Sequence, residues 1–338
     1  MYQEFTDEQR RLLLNLSQYY AAYIDAERER HRTSDFPLHW KTVSGRDYLY
    51  EIIDSRGNAK SKGPRSSKTE ALHQAWHDAK LRGDNARTLL VEIGRMYRAM
   101  RLGSISGEAA AILREADRRE LLGNSLIVVG TNAMPAYEVE AQHRIGTGLD
   151  ETQVFDMAWI GHLTFAGTAP SPHSGDPFWR MLKAVDSTYT VNTERNFQAR
   201  NAKAYEVELL VAPSRVASMG KTDKPVPMPL PEQEWLLNGR FVDHVICARD
   251  GSAARIVAPD PRWFALHKLW MSDQEKRTAL KRPKDRKQGL RLLDSIARHM
   301  PHYALDDTFA AELPDELRRY FDDWRQNSGA TPPPPPAW

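Results

Sequence analysis

Apolar residues recur at helical spacing from Phe5 to about Arg30, where Leu12, Leu13, Leu16, Tyr19, Tyr20 and Tyr23 follow Thr6, a side chain suited to cap the first turn. Trp40 to Ile53 reads as two short β-prone runs about a Ser44-Gly45 turn, a small hairpin. The polar stretch Ser55 to Lys68 reads as a loop, with Ser67 or Thr69 capping the helix that follows. Helical patterns run on to about Arg101, and Ser106 opens another helix that ends near Gly123. At Leu126 the texture changes. Leu126-Ile127-Val128-Val129 is a continuous apolar run of the kind found in a buried strand, followed by Gly130-Thr131-Asn132 and a helical segment in which Pro135 falls in the first turn. Val154 to Ile160 and Ala204 to Val211 are β-like, and an Asp250-Gly251 turn joins Phe241–Ala248 to Ala253–Ala258. After Pro259 the pattern is helical again, and the proline-rich end, Gly329 to Trp338, has a composition that packs into neither helix nor sheet.

These runs predict an α+β protein. A mainly helical N-terminal region with a small hairpin (about 40–53) covers residues 1–122. An α/β core covers 123–259, a helical region covers 260–326, and residues 327–338 form a disordered tail. With 338 residues, 41% hydrophobic and 27% charged, the chain is an ordinary globular one. No apolar run approaches the roughly 18 residues of a membrane span, and the acidic N-terminus lacks the basic region of a signal peptide. Cys247 is the only cysteine, which excludes an internal disulfide and a cysteine-based zinc cluster. The cytoplasm is the expected location. Net charge is only +2, but eight basic residues and one acid, Asp285, lie between Lys276 and Arg291. Such a run is a solvated helix face or a patch that holds phosphates.

Candidate chemistry gathers in the core. Asp156 shares a strand face with Val154, and Glu206 shares one with Glu208, because strand side chains alternate. Acids alternating with apolar residues also mark the wet face of an edge strand. Asp260-Pro261 starts a helix whose Phe264, His267, Lys268 and Met271 recur on one stripe. Lys268 there snorkels to water or points into a cleft as a phosphate ligand. Asp285 sits in the first turn of the next helix, where an acid is favoured by the helix dipole in any case.

Several segments together resemble a known family. They are Trp40, Lys41, Gly45, Tyr48 and Leu49; Arg65, Ser66, Thr69 and Glu70; Val128 to Glu138; Pro259 to Trp270; and Arg277 to Gln288. From about Trp40 to Ile296 the chain resembles bacterial proteins of nucleotidyltransferase fold, distant relatives of the minimal nucleotidyltransferases of the polymerase-β superfamily. The resemblance implies a polymerase-β-like core with a mixed sheet and flanking helices. It implies transfer of a nucleoside monophosphate from an NTP, with Mg²⁺ (or Mn²⁺) on carboxylates and the Gly-Thr turn against the phosphates. Carried onto this sequence, Asp156 and Glu208 hold the metal, and Gly130, Thr131 and Asn132 approach the nucleotide. Val154 stands where the family pattern has the first carboxylate, and the acids that would compensate are Glu206, on the same face as Glu208, or Asp150 and Glu151 just upstream. Lys268 and the Lys284-Asp285 pair are also similar to motifs of abortive-infection toxins of the AbiEii type. That similarity implies phosphate contacts from Lys268 and Lys284, and an Asp285 that deprotonates or orients the acceptor. The acceptor stays open: RNA, such as a tRNA end, a protein hydroxyl or a small molecule. Two other readings remain, a nucleotide- or RNA-binding protein without turnover, and an interaction protein that binds no nucleotide.

Overall fold

The computed structural model describes residues 3–54, 56–146, 154–160, 177–218 and 224–328. The acids at 150 and 151, the Thr152-Gln153 pair and the proline-rich tail lie outside these residues.

The chain opens with α1 (Asp7–Thr33), started by a capping box in which Thr6 accepts from Gln9 N and the Gln9 side chain accepts in return from Thr6 N. Leu12, Leu16, Tyr20 and Ile24, four residues apart, form its buried stripe. Then come β1 (Leu38–Val43), β2 (Arg46–Ile52) and β3 (Ala59–Pro64), an antiparallel sheet in that order. The sequence predicts only a hairpin here. The third strand has no hydrophobic signal, because Ala59 to Pro64 is polar, ends in Gly-Pro and buries no side chain. The long α2 (Ser67–Ala99) is capped by Ser66, not by Ser67 or Thr69, and Thr69 completes a reciprocal box as N3. One face of the small sheet lies on α2, where Leu38, Leu49 and Trp76 close a separate core. The α1 and α2 helices pack along each other.

Ser106 caps α3 (Gly107–Arg118), which is followed by β4 (Leu126–Val128), a single 3₁₀ turn (Gly130–Ala133) and α4 (Met134–Ala141). Next come β5 (Val154–Trp159), α5 (Pro177–Val185), β6 (Thr190–Val191), β7 (Gln198–Arg200), β8 (Glu206–Val211) and β9 (Met228–Pro229). They build a mixed sheet in the order β4-β5-β8-β7-β6, with β9 beside the end of β8. β4 and β5 are antiparallel, β5 and β8 parallel, and β8 and β7 antiparallel. The hairpin of β10 (Val242–Cys247) and β11 (Ala253–Ala258) is a separate sheet that α1, α3 and α4 pack against. The chain ends in α6 (Pro261–Asp273), α7 (Arg282–His299), α8 (Asp307–Glu312) and α9 (Asp315–Ser328). Asn327 and Ser328, assigned to the tail from sequence, are thus the last residues of a helix.

One apolar core runs from α1 through the mixed sheet to α9. No helix among the described residues is long and apolar enough to cross a membrane. The architecture is α+β, a mixed sheet flanked by helices.

Candidate active-site cleft

The parallel pairing of β5 with β8 sets Phe155 against Val207, Met157 against Leu209 and Trp159 against Val211, and all six side chains are buried. Burying aliphatic and aromatic side chains such as Phe155, Val207, Met157 and Leu209 contributes about 1.5–3 kcal/mol each. A slip of one residue would turn this whole set to the other face, so the core fixes the register. The same register puts Asp156 opposite Glu208 and Val154 opposite Glu206 on the reverse face.

Two acids on adjacent strands repel each other. Asp156 is pushed up from its usual 3.8 to about 7 by burial and by Glu208, against the pull of Lys268 and Lys281. Gln198, opposite Glu208 on β7, donates its amide to Glu208 Oε1 at 2.6 Å. The same amide reaches Glu206 Oε2 only at 3.5 Å, and Arg200 grips the Glu206 carboxylate from the other side. The acid beside Val154 is therefore turned to a guanidinium and does not line the cleft.

At the end of β4 the chain reverses tightly. Gly130 has φ +72°, and a Cβ there would overlap Asp156 Oδ2 and stand 3.0 Å from its Cγ. No side chain fits, because the Asp156 carboxylate already rests on the Gly130 backbone. Thr131 Oγ1 accepts from Gln288 Nε2 of α7 at 3.4 Å. Asn132 turns inward and donates to Val154 O at 3.2 Å. It lines a second cavity of about 700 Å³, along with Arg101, Arg144, Lys287 and Arg291; Thr131 lines both cavities.

The opposite wall comes from α6 and α7. Asp260 caps α6 through Arg262 N, with Pro261 in the first turn. Gly289 lets the two helices touch, since a Cβ there would come within 2.7 Å of Ala265 O and of Leu269 Cγ. That contact brings Lys268 Nζ to 2.9 Å from Asp285 Oδ1, both almost fully buried. Arg277 Nε donates to Asp285 Oδ2 at 2.7 Å. Burial pushes the Asp285 carboxyl up, but Lys268 and Arg277 outweigh it and hold the group below the usual carboxylate range. Burial pulls the Lys268 ammonium down from its ordinary value against the attraction of Asp285. His267, in the same wall, is held neutral by burial and by Lys268, down to about 3, and neither ring nitrogen has a hydrogen-bond partner among the described residues.

Gly130, Thr131, Asp156, Glu208, Lys268, Lys284 and Asp285 thus line one cleft of about 1040 Å³; Asn132 does not. Arg277 and His267 also line it, and Gln198 reaches Glu208 from β7. Arg277 and His267 stand inside segments the sequence had singled out, but only the fold reveals their partners. Gln198 carried no sequence signal. Among the described residues no three His, Cys, Asp or Glu side chains form a metal-holding group.

A family model described as nucleotidyltransferase matches residues 107–314, more than half of the chain, taking in the mixed sheet, α6 and α7. No curated protein and no solved structure matches the chain.

Proposed function

The chain belongs to the nucleotidyltransferase family, and from that premise we propose that it moves a nucleoside monophosphate from an NTP to an acceptor hydroxyl in the cleft between β5–β8 and α6–α7. The observation that carries this reading is the charge pattern across the cleft. Asp156 and Glu208 stand side by side on one wall, and Lys268, Arg277 and Lys284 stand on the other. A cation between carboxylates and a triphosphate has this arrangement.

Asp156 and Glu208 are the residues that would hold Mg²⁺ or Mn²⁺. Their carboxylates are the hard oxygen donors that such a divalent ion would take from the protein. They do not make the three-carboxylate set of a two-ion site, because Val154 brings no oxygen and Glu206 is engaged by Arg200. When bound, the ion supplies charge neutralisation on the phosphates and activates the attacking hydroxyl. The protein's own part is positioning. Gly130 and Thr131 bring backbone close to the phosphates, while Lys268, Arg277 and Lys284 meet their oxygens from the other side. Asp285 anchors Lys268 and Arg277. With both oxygens taken and its pKa held low, it is a poor proton acceptor, so the role of base that the toxin-like motif implied is not part of this mechanism. Asn132 acts by tying the turn to β5, and not on the nucleotide.

The second cavity meets the cleft at Thr131 and carries the Arg101 and Arg144 guanidinium groups, which favours an anionic acceptor such as an RNA or tRNA end over a protein hydroxyl. This chemistry suits a cytoplasmic protein. A second reading, nucleotide binding without turnover, is favoured by Val154. The test is incubation of purified protein with each α-labelled NTP, Mg²⁺ or Mn²⁺ and total cellular RNA, beside an Asp156→Ala control. Label on RNA that the control lacks supports transfer. Metal-dependent NTP binding without label supports the second reading, and no binding at all sinks both.

A further inference from the structure

We propose that the outer face of the β1–β3 sheet is a stacking platform for single-stranded nucleic acid, separate from the cleft and outside the family match, which begins at residue 107. The inner face is settled by its contacts. Leu38 and Leu49 join Trp76 of α2, with Trp40 and Leu72 packed beside them. Alternation then sends His39 and Lys41 of β1 and Arg46, Tyr48 and Tyr50 of β2 to the other face.

The two tyrosines occupy the middle strand, Tyr48 opposite Lys41 and Tyr50 opposite His39. Both are half-buried, while His39, Lys41 and Arg46 around them are exposed. Lys41 Nζ lies 5.9 Å from the centre of the Tyr50 ring. Two aromatic rings at i and i+2 are about 6.8 Å apart along a strand. Sheets that present aromatics in this way take bases of a single strand by stacking, while flanking cations follow the phosphates.

Charge distribution points to the same occupant. Residues 38–68 hold seven Lys and Arg against three Asp and Glu. The whole chain has 47 against 45, which leaves 40 against 42 elsewhere, so the positive excess of the protein is concentrated on this small unit. Of these cations Lys41 and Arg46 stand on the open face beside the two tyrosines, while Lys60 and Lys62 lie by Glu51 on the Leu49 face, and exposed cations flanking paired aromatic side chains complement a polyanion of bases.

The experiment uses the full chain and fluorescence anisotropy with an unstructured 20-nucleotide RNA, the same sequence as DNA, and the matching duplex, across a salt series. Single strands should bind, and binding should weaken as salt rises. Tyr48→Ala and Tyr50→Ala should each weaken it about fivefold or more, the low end for loss of one base–aromatic stack. Tyr48→Phe and Tyr50→Phe should bind as wild type. Lys41→Gln should reduce the slope of log affinity against log salt by about 0.7. None of these side chains belongs to the Leu38–Leu49–Trp76 core, so melting temperatures should hold and misfolding cannot imitate the result. RNA bound more tightly than DNA would name RNA as the occupant, and equal binding would name any single strand. The proposal is overturned by a duplex bound as tightly as the single strands, by alanine variants that bind like wild type, or by absence of binding.

Discussion

Replacing Gly130 with alanine perturbs the cleft by a single methyl group at the point where backbone and carboxylate touch. The methyl would overlap Asp156 Oδ2 and stand 3.0 Å from Cγ, whereas carbon atoms settle at about 3.5–4.0 Å. The carboxylate must therefore retreat by about 0.5–1 Å. The backbone contributes as well, because a φ of +72° costs an alanine about 1–2 kcal/mol that glycine does not incur. Stability should fall by an amount of that size, which for a chain of this length lowers the melting temperature by only a few degrees. Transfer should fall much further, by up to about a hundredfold, since a misplacement near 1 Å in a reacting constellation has that effect. The assay is transfer of α-labelled nucleotide beside a thermal melt of the same preparation. A Gly130→Ala protein with undiminished transfer would show that Asp156 need not stand where the turn holds it, and would refute the proposed site.

Four other outcomes follow from the same geometry. Asp156→Ala and Glu208→Ala should abolish transfer while still unfolding in one cooperative transition, and wild-type rates in both would remove the pair from the site. Val154→Asp adds an oxygen beside Asp156 and should raise metal-dependent transfer about tenfold or more, equivalent to at least 1.36 kcal/mol in the barrier; an unchanged rate would mean that the missing carboxylate is not what limits turnover. Asp285→Ala leaves Lys268 buried without its partner and should destabilise the fold by about 3–5 kcal/mol, against which a denaturant titration reading below 1 kcal/mol would count decisively. Asp156 also confers a pH dependence on stability. Its folded pKa, about 7, lies above its usual 3.8, so the folded chain holds a proton that the unfolded chain releases earlier. That contribution is complete below 3.8 and is lost as pH rises towards 7, so the melting temperature of Asp156→Asn should gain on wild type between pH 4 and 7, and a constant gap would contradict the shift.

Much of this was legible along the chain, and the failures have physical causes. Caps and hydrophobic stripes located α1, α3 and α6, because Thr6, Ser106 and Asp260 act through their nearest neighbours. The third strand of the small sheet escaped because an exposed edge strand needs no apolar residue. Asp156 and Glu208 were identifiable as carboxylates on strands, but nothing local reveals that their strands are parallel neighbours in register. The same limit applies to Asp285. Its two cations lie 17 and 8 residues before it, and only the packing of α6 on α7 made plain that both of its oxygens are occupied.

The parallel pairing of β5 with β8 also bears on how the molecule comes to exist. β4 lies close to β5 in the chain, but β8 reaches β5 only after α5, β6 and β7 have passed. Parallel neighbours with a long crossover are among the slower contacts to form, because loop entropy is lost before any pairing compensates. Until that ladder closes, Asp156 and Glu208 are ordinary distant acids. Closing it forces two like charges together, so the step that creates the cleft is also the one its own electrostatics oppose. Divalent cation and nucleotide present during refolding should therefore hasten this late docking more than any earlier event.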